Sequence, residues 1–297
     1  MHMNKRIICV LMVVLFVFSA AGCGTRSTED DTKAVNAAID KFAACKSFTI
    51  EQITESTEIS SIDGVDYKYE GTNVLELSMI TEPDIEIMNS KTIIVKADEG
   101  EVEQSTISYL LSENGVYTEY FTDGADWYKL STDDVSLLSG INARAFASAF
   151  FVDVLSFGKA GDDELDSGKA FRYEGSLGGA ELVTMLESIG YFNHSISSMS
   201  ENQQLKIKEN LAKDLKPVTV KVWVDEALGY PVRFEVSLTS MLKNLDDSIS
   251  KSLGDKSSGD WAITEYVISM TVKDFDAVGD IVLPAEAASA KLYEPAA

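Results

Sequence analysis

Apolar residues near the start of the chain recur at helical spacing. Ala34, Val35, Ala38, Ile39 and Phe42 share one face of a helix predicted over Thr32–Cys45. Glu29, Asp30 and Asp31 precede it, where negative charge complements the positive end of the helix dipole. The period then changes to two. Val65, Tyr67, Tyr69, Gly71, Asn73, Leu75, Leu77 and Met79 alternate with Asp66, Lys68, Glu70, Thr72, Val74, Glu76 and Ser78. That alternation predicts one long antiparallel strand with a dry face and a wet face. Asp63-Gly64 marks a hairpin turn after a first strand around Phe48–Ile59. Further strands are expected near Ile85–Lys96, Glu103–Leu111, Val116–Phe121 and Asp126–Leu130, with turn signals at Asn114-Gly115 and Asp123-Gly124.

The middle of the chain reads differently. In Ile141–Phe157, the residues Phe146, Phe150, Val154 and Phe157 fall at helical spacing, and Phe151 and Leu155 widen the apolar face. A short strand at Ala170–Gly175 separates this helix from another at Ala180–Ile189, stopped by Gly190. Ser200 with Gln203 forms a capping-box pattern opening a third helix, and Pro217 closes it near Leu215. A helical insertion is therefore expected over about residues 131–215. Strands return at Val218–Val224, Val232–Leu238 and Trp261–Lys273, while Met241–Leu253 is ambiguous with helical spacing favoured. Asp280–Pro284 is expected to be extended.

The first residues change the setting. Lys5 and Arg6 precede an apolar run, Ile7–Phe18. The run falls short of the about 20 residues that a membrane-spanning helix needs, and it has the pattern of a secretory signal. Ser19-Ala20-Ala21-Gly22-Cys23 follows. Small residues before a cut, then a thiol able to accept a diacylglyceryl group, resemble the bacterial lipobox, with Ala20 standing where Leu is usual. Residues 1–22 are thus expected as a lipoprotein signal peptide, Cys23 as the lipidated residue, 23–31 as a tether and 32–297 as one domain. The polar stretch Gly24–Asp31 reaches at most about 28 Å. The expected location is extracytoplasmic, anchored to the cell membrane through lipid on Cys23.

Charge removes some functions. Forty-eight acidic against 25 basic residues give a net charge of −23. Such a chain repels nucleic-acid backbones and lacks the basic excess that docks on anionic headgroups. Hydrophobic residues form 45% of the chain, enough for a large core.

Candidate catalytic chemistry is sparse. His194 is the one histidine left after signal removal, and it sits in a polar loop, so no Ser-His-Asp or Cys-His arrangement is legible. Cys45 has no cysteine partner in the mature chain and reads as a small buried hydrophobe. Asp162, Asp163, Glu164 and Asp166 form a dense carboxylate loop that reads as a solvated turn or a calcium site without EF-hand spacing. Gly175-Ser176-Leu177-Gly178-Gly179 before a helix reads as a loop and cap or an anion cradle. No cofactor and no enzymatic activity are expected. Two functions lead: a carrier of a lipid or other hydrophobic ligand, with Phe146, Phe150, Phe151, Val154 and Phe157 lining its cavity, and an envelope interaction or scaffold protein without a small ligand; a hydrolase using paired carboxylates is third, with no pair singled out among the 48 acidic residues.

The order of elements, a lipidated Cys, one amphipathic helix, long strands, mid-chain helices and closing strands, resembles the LolA-like superfamily of half-open β-barrels. That superfamily includes the LppX/LprG-type lipoproteins and Gram-positive lipoproteins of similar layout. Local echoes are Phe42-Ala43-Ala44-Cys45-Lys46-Ser47-Phe48, Gly229-Tyr230-Pro231-Val232 and Ile281-Val282-Leu283-Pro284. The resemblance implies an α+β fold in which a long, curved antiparallel sheet wraps around helices and holds acyl chains. It carries over no catalytic motif.

Overall fold

A computed structural model describes residues 28–293, except 63–64, 82–83, 97–99, 114–115, 123, 134–155, 189–191, 193–195, 197–198 and 245–260. Among the described residues, twelve strands form a single unclosed sheet. In chain order they are β1 (Ser47–Ile62), β2 (Val65–Thr81), β3 (Asp84–Lys96), β4 (Gly100–Glu113), β5 (Val116–Thr122), β6 (Trp127–Thr132), β7 (Phe157–Leu165), β8 (Gly168–Leu177), β9 (Val218–Asp225), β10 (Pro231–Ser237), β11 (Trp261–Lys273) and β12 (Lys291–Leu292). Across the sheet the order is β12-β6-β5-β4-β3-β2-β1-β11-β10-β9-β8-β7. Every pairing of these strands is antiparallel except the two-residue contact of β12 with β6. The helices α1 (Thr28–Ala43), α2 (Gly179–Ser188) and α3 (Glu201–Asp214) accompany the sheet, and residues 239–244 are also helical. The architecture is α+β, a half-open sheet wrapped around helices.

Period-two sequence explains the long strands. Ile62 pairs with Val65 across the connection at 63–64, which fixes the β1–β2 register over the whole hairpin. The register places Phe48 beside Met79 and Ile50 beside Leu77 on one face, called inner below because α1 packs there. Phe42 of α1 meets Phe48 with ring centroids 4.8 Å apart. Val35, Ala38 and Phe42 form the buried stripe of α1.

The packed core occupies the half of the sheet from β1 to β7. Val220, Val222 and Val224 of β9, Phe234 and Val236 of β10, and Ile268, Met270 and Val272 of β11 supply the inner face there. Leu182, Leu186, Ile207 and Leu211 from α2 and α3 cover it. Burying each such side chain contributes about 1.5–3 kcal/mol. Gln203 accepts a hydrogen bond from the backbone N–H of Ser200 at 3.1 Å, satisfying one donor at the start of α3. Gly179 sits where α2 abuts α3. A Cβ there would lie 2.5 Å from the Ala212 carbonyl oxygen, so this glycine answers to helix packing.

The structure corrects part of what the sequence predicts. Phe157 is not the last residue of a helix; it opens β7 and is fully buried. Residues 161–165 are not a loop; they belong to β7, the last strand of the sheet. Within residues 131–215, β7 therefore joins the strand expected at Ala170–Gly175, which is β8, and both belong to the main sheet. In addition, α1 begins at Thr28, inside the expected tether.

Candidate functional site on the inner face of the sheet

Beyond β2 the sheet continues through β3, β4, β5 and β6 to the short β12, and the register from β3 to β6 carries the inner face with it. Leu77 leads through Met88 of β3 to Ser108, Phe121 and Tyr128. Met79 leads through Glu86 to Leu110, Glu119 and Leu130. All buried described residues of β2, β4 and β5 lie on this face: Leu77, Met79, Ser108 and Glu119. Yet among the described residues the packed core takes nothing from β4, β5 or β6. Leu75, Leu110, Phe121, Tyr128 and Leu130 remain partly accessible around Ser108 and Glu119.

This arrangement combines apolar area with two convergent polar groups. Glu119 is 1% exposed, between Leu110 and Leu130 on neighbouring strands. Ser108 is its diagonal neighbour across β4 and β5, a relationship that sets Cβ atoms about 7–8 Å apart. A surface of this composition suits an apolar ligand: its partly accessible apolar side chains can take up hydrocarbon beside the buried polar pair. Gln52 and Thr54 extend the polar part along β1, with the Gln52 amide donating to Thr54 Oγ1 at 3.2 Å. Tyr266 of β11 lies beyond them; burial raises its hydroxyl pKa, and the charge of Glu58 adds to the shift.

The acidic residues singled out from the sequence do not gather around a cation. Asp163 Oδ2 accepts from the Trp223 indole N–H at 2.6 Å and pairs with Arg172 at 3.2 Å. Arg233 lies 5.0 Å over the Trp223 ring and pairs with Glu235, which also pairs with Lys221. Asp163 thus belongs to a charged ladder on the outer face. Asp162 stands opposite Phe171 and pairs with Lys159 at 2.5 Å. Among the described residues no group of His, Cys, Asp and Glu is arranged to hold a metal.

Cys45 is buried just beyond α1, donating to the Lys41 carbonyl at 3.6 Å. Burial raises its thiol pKa, partly offset by a hydrogen bond with Tyr230. Tyr230 is itself pushed up to about 12, first by burial and then by its contact with Cys45. Its ring stacks on Phe275 at 4.1 Å, and Lys41 lies 4.2 Å from the ring centroid. The cluster joins α1, the β9–β10 turn and the end of β11, and burial within it disfavours the thiolate.

Of the cavity residues expected from the sequence, Phe157 lies in the packed core beneath α1. Phe146, Phe150, Phe151 and Val154 lie outside the described residues, as do Cys23 and His194. No sequence signal singles out Ser108, Glu119, Phe121 or Tyr128. Their membership of one face follows from pairing across four strands, and the alternation of Ser108, Leu110 and Ser112 is too weak to declare it.

Comparison with solved structures finds likenesses of fold to lipoproteins and to a LolA superfamily protein. The chain is similar to the lipoprotein LppX of Mycobacterium tuberculosis at 11% identity, covering 84% of this chain and 97% of that one, with a TM-score of 0.38. It is similar to LprF of Mycobacterium bovis at 13% identity, covering 88% and 100%, with a TM-score of 0.47. A LolA superfamily protein of Nitrosomonas europaea is similar at 11% identity, covering 85% and 94%, with a TM-score of 0.20. No family model and no curated protein matches. These likenesses concern the fold alone.

Proposed function

We propose that this protein is a membrane-anchored extracytoplasmic lipoprotein that binds or carries a lipid or another hydrophobic ligand on the inner face of its sheet. The observation that carries the proposal is the extension of that face past the packed core. Leu75, Leu110, Phe121, Tyr128 and Leu130 stay partly accessible there, grouped around the buried polar residues Ser108 and Glu119. The amphipathic lining supports a binding role.

Attachment is proposed through Cys23. Among the described residues no helix is long and apolar enough to cross a membrane. Cys23 lies five positions before Thr28, where α1 begins, so an acyl anchor would hold the domain within about 18 Å of the bilayer. Metabolic labelling with a fatty-acid analogue tests this half of the proposal. Wild type takes up label and Cys23→Ala does not; label on both, or on neither, overturns it.

Ligand binding is tested with a fluorescent apolar probe such as 1-naphthylphenylamine. Saturable binding weakened by Leu110→Arg supports the carrier. No saturable binding favours the scaffold reading, for which the outer face offers Tyr109 against Trp127 at 6.0 Å beside the exposed Ile107.

A further inference from the structure

The C-terminal segment beyond β11 takes an unusual course. It starts at the base of β1, where the Asp276 N–H donates to the Ser47 carbonyl at 2.8 Å and the Asp276 carboxylate accepts from the Lys46 N–H at 2.7 Å. It ends on β6, five positions away across the sheet. Five strand spacings amount to about 24 Å. The segment makes this crossing with a short 3-10 turn, Ala285–Ser289, whose Ala287 is buried, and then adds β12 in parallel to the edge of β6.

Its last contacts fall on the candidate site. Tyr293 sets its ring edge-on to Phe121 at 5.3 Å and to Tyr128 at 6.4 Å, both on the inner face. The Tyr293 N–H donates to the Lys129 carbonyl at 2.9 Å, and Lys291 pairs with Asp126 at 2.5 Å. This attachment is short and wet: Leu292 is 64% exposed and Tyr293 42%. Besides the packing of the 3-10 turn against β6 and Lys291 lying 6.0 Å over the Tyr128 ring, the hold is a two-residue ladder, one exposed ion pair and one half-exposed ring, less than the long antiparallel strands make with one another.

We propose that residues 274–293 form a clasp that ties β6 to the base of β1 and closes the β5–β6 side of the inner face, and that its release from β6 admits ligand. The inference rests on the carrier reading for its purpose, but the clasp itself has a ligand-free test. Release would uncover the Phe121–Tyr128 rim beside Ser108 while β11 keeps the segment covalently in place.

The test places a reporter thiol on the inner face by Ser108→Cys and weakens the clasp by combining Lys291→Glu with Tyr293→Ala. Maleimide labelling at position 108 is followed by peptide mass spectrometry on the full chain, alongside hydrogen exchange. The clasp predicts labelling faster by about tenfold or more, as expected when a minor open state becomes the major one. It also predicts lost amide protection in β6 with protection in β8 and β9 unchanged, and near-wild-type labelling when Asp126→Lys is added opposite Lys291→Glu with Tyr293 intact. Equal labelling rates with the clasp intact and weakened overturn it, as does unchanged protection in β6. Accelerated labelling in a protein that takes up no apolar probe would uphold the clasp and overturn the carrier.

Discussion

The carboxylate of Asp31, in the first turn of α1, accepts a hydrogen bond of 2.9 Å from the backbone N–H of Lys159 on β7. Thr32 Oγ1 accepts another of 2.9 Å from the N–H of Phe157. Together they occupy backbone donors at the edge of the last strand, where an unpaired ladder would otherwise invite another chain. The other half of β7 carries Asp162, Asp163 and Glu164, and charge on an edge strand opposes the same pairing. The acidic run is therefore part of how this sheet ends. The stitch also fixes where the chain leaves the domain toward Cys23.

Asp31→Ala removes the acceptor and strands a part-buried N–H, which costs about 1–3 kcal/mol. For a domain of this size each kcal/mol lowers the melting temperature by about 2–4 °C. Thermal unfolding should show the loss for Asp31→Ala and a smaller one for Asp31→Asn, which keeps an oxygen acceptor. Equal stability of wild type and Asp31→Ala would remove the edge-closing role.

Asp163→Ala should destabilise through the Trp223 indole N–H, left without the acceptor it now has at 2.6 Å. A cost of about 1–3 kcal/mol is expected in urea unfolding. Added calcium should leave the wild-type melting temperature unchanged. A calcium-dependent rise abolished by Asp163→Ala would restore the metal reading of this segment.

Phe48→Ala empties the contact with Phe42 at the junction of α1 and β1. Removal of a buried Phe costs about 3–5 kcal/mol. Denaturant unfolding should show a lower midpoint with an unchanged slope, because the surface exposed on unfolding stays nearly the same.

Stability should also fall in alkali. Tyr230 has a folded-state pKa of about 12 against an ordinary 10.0, and Cys45 is raised above 9.0. For such groups the stabilisation is complete below the ordinary value. It is lost as pH rises from there through the folded-state value, because the unfolded chain releases its proton first. Unfolding free energies from pH 8 to 11 should decline above about pH 9 in wild type. The decline should be shallower in Tyr230→Phe, which keeps the ring on Phe275. The same slope in both would show that Tyr230 does not contribute.

The parts legible in the sequence share one physical property: a local period. Alternation marks β2 closely and β11 from Trp261 to Lys273, and the capping box opens α3 where Ser200 stands. The strand β7 is illegible because Gly158, Gly161 and three successive acids suppress alternation, as an exposed edge demands. Phe157 stands at helical spacing from Val154 only by its distance along the chain; its burial comes from α1, contacted through Thr32. The candidate site is hidden for a related reason. Ser108 and Glu119 are polar residues made inner by pairings that link β1 to β6, and no local pattern encodes such a chain of registers.

Whether the inner face beyond the core holds a hydrophobic ligand is tested most directly by native mass spectrometry of the full chain released from its own membrane. Wild type should carry a non-covalent lipid adduct, retained by the outer-face variant Val74→Arg and lost from the double variant Leu75→Arg with Leu110→Arg. A wild-type protein without adduct, or an adduct indifferent to the inner-face substitutions, would contradict a ligand on this face.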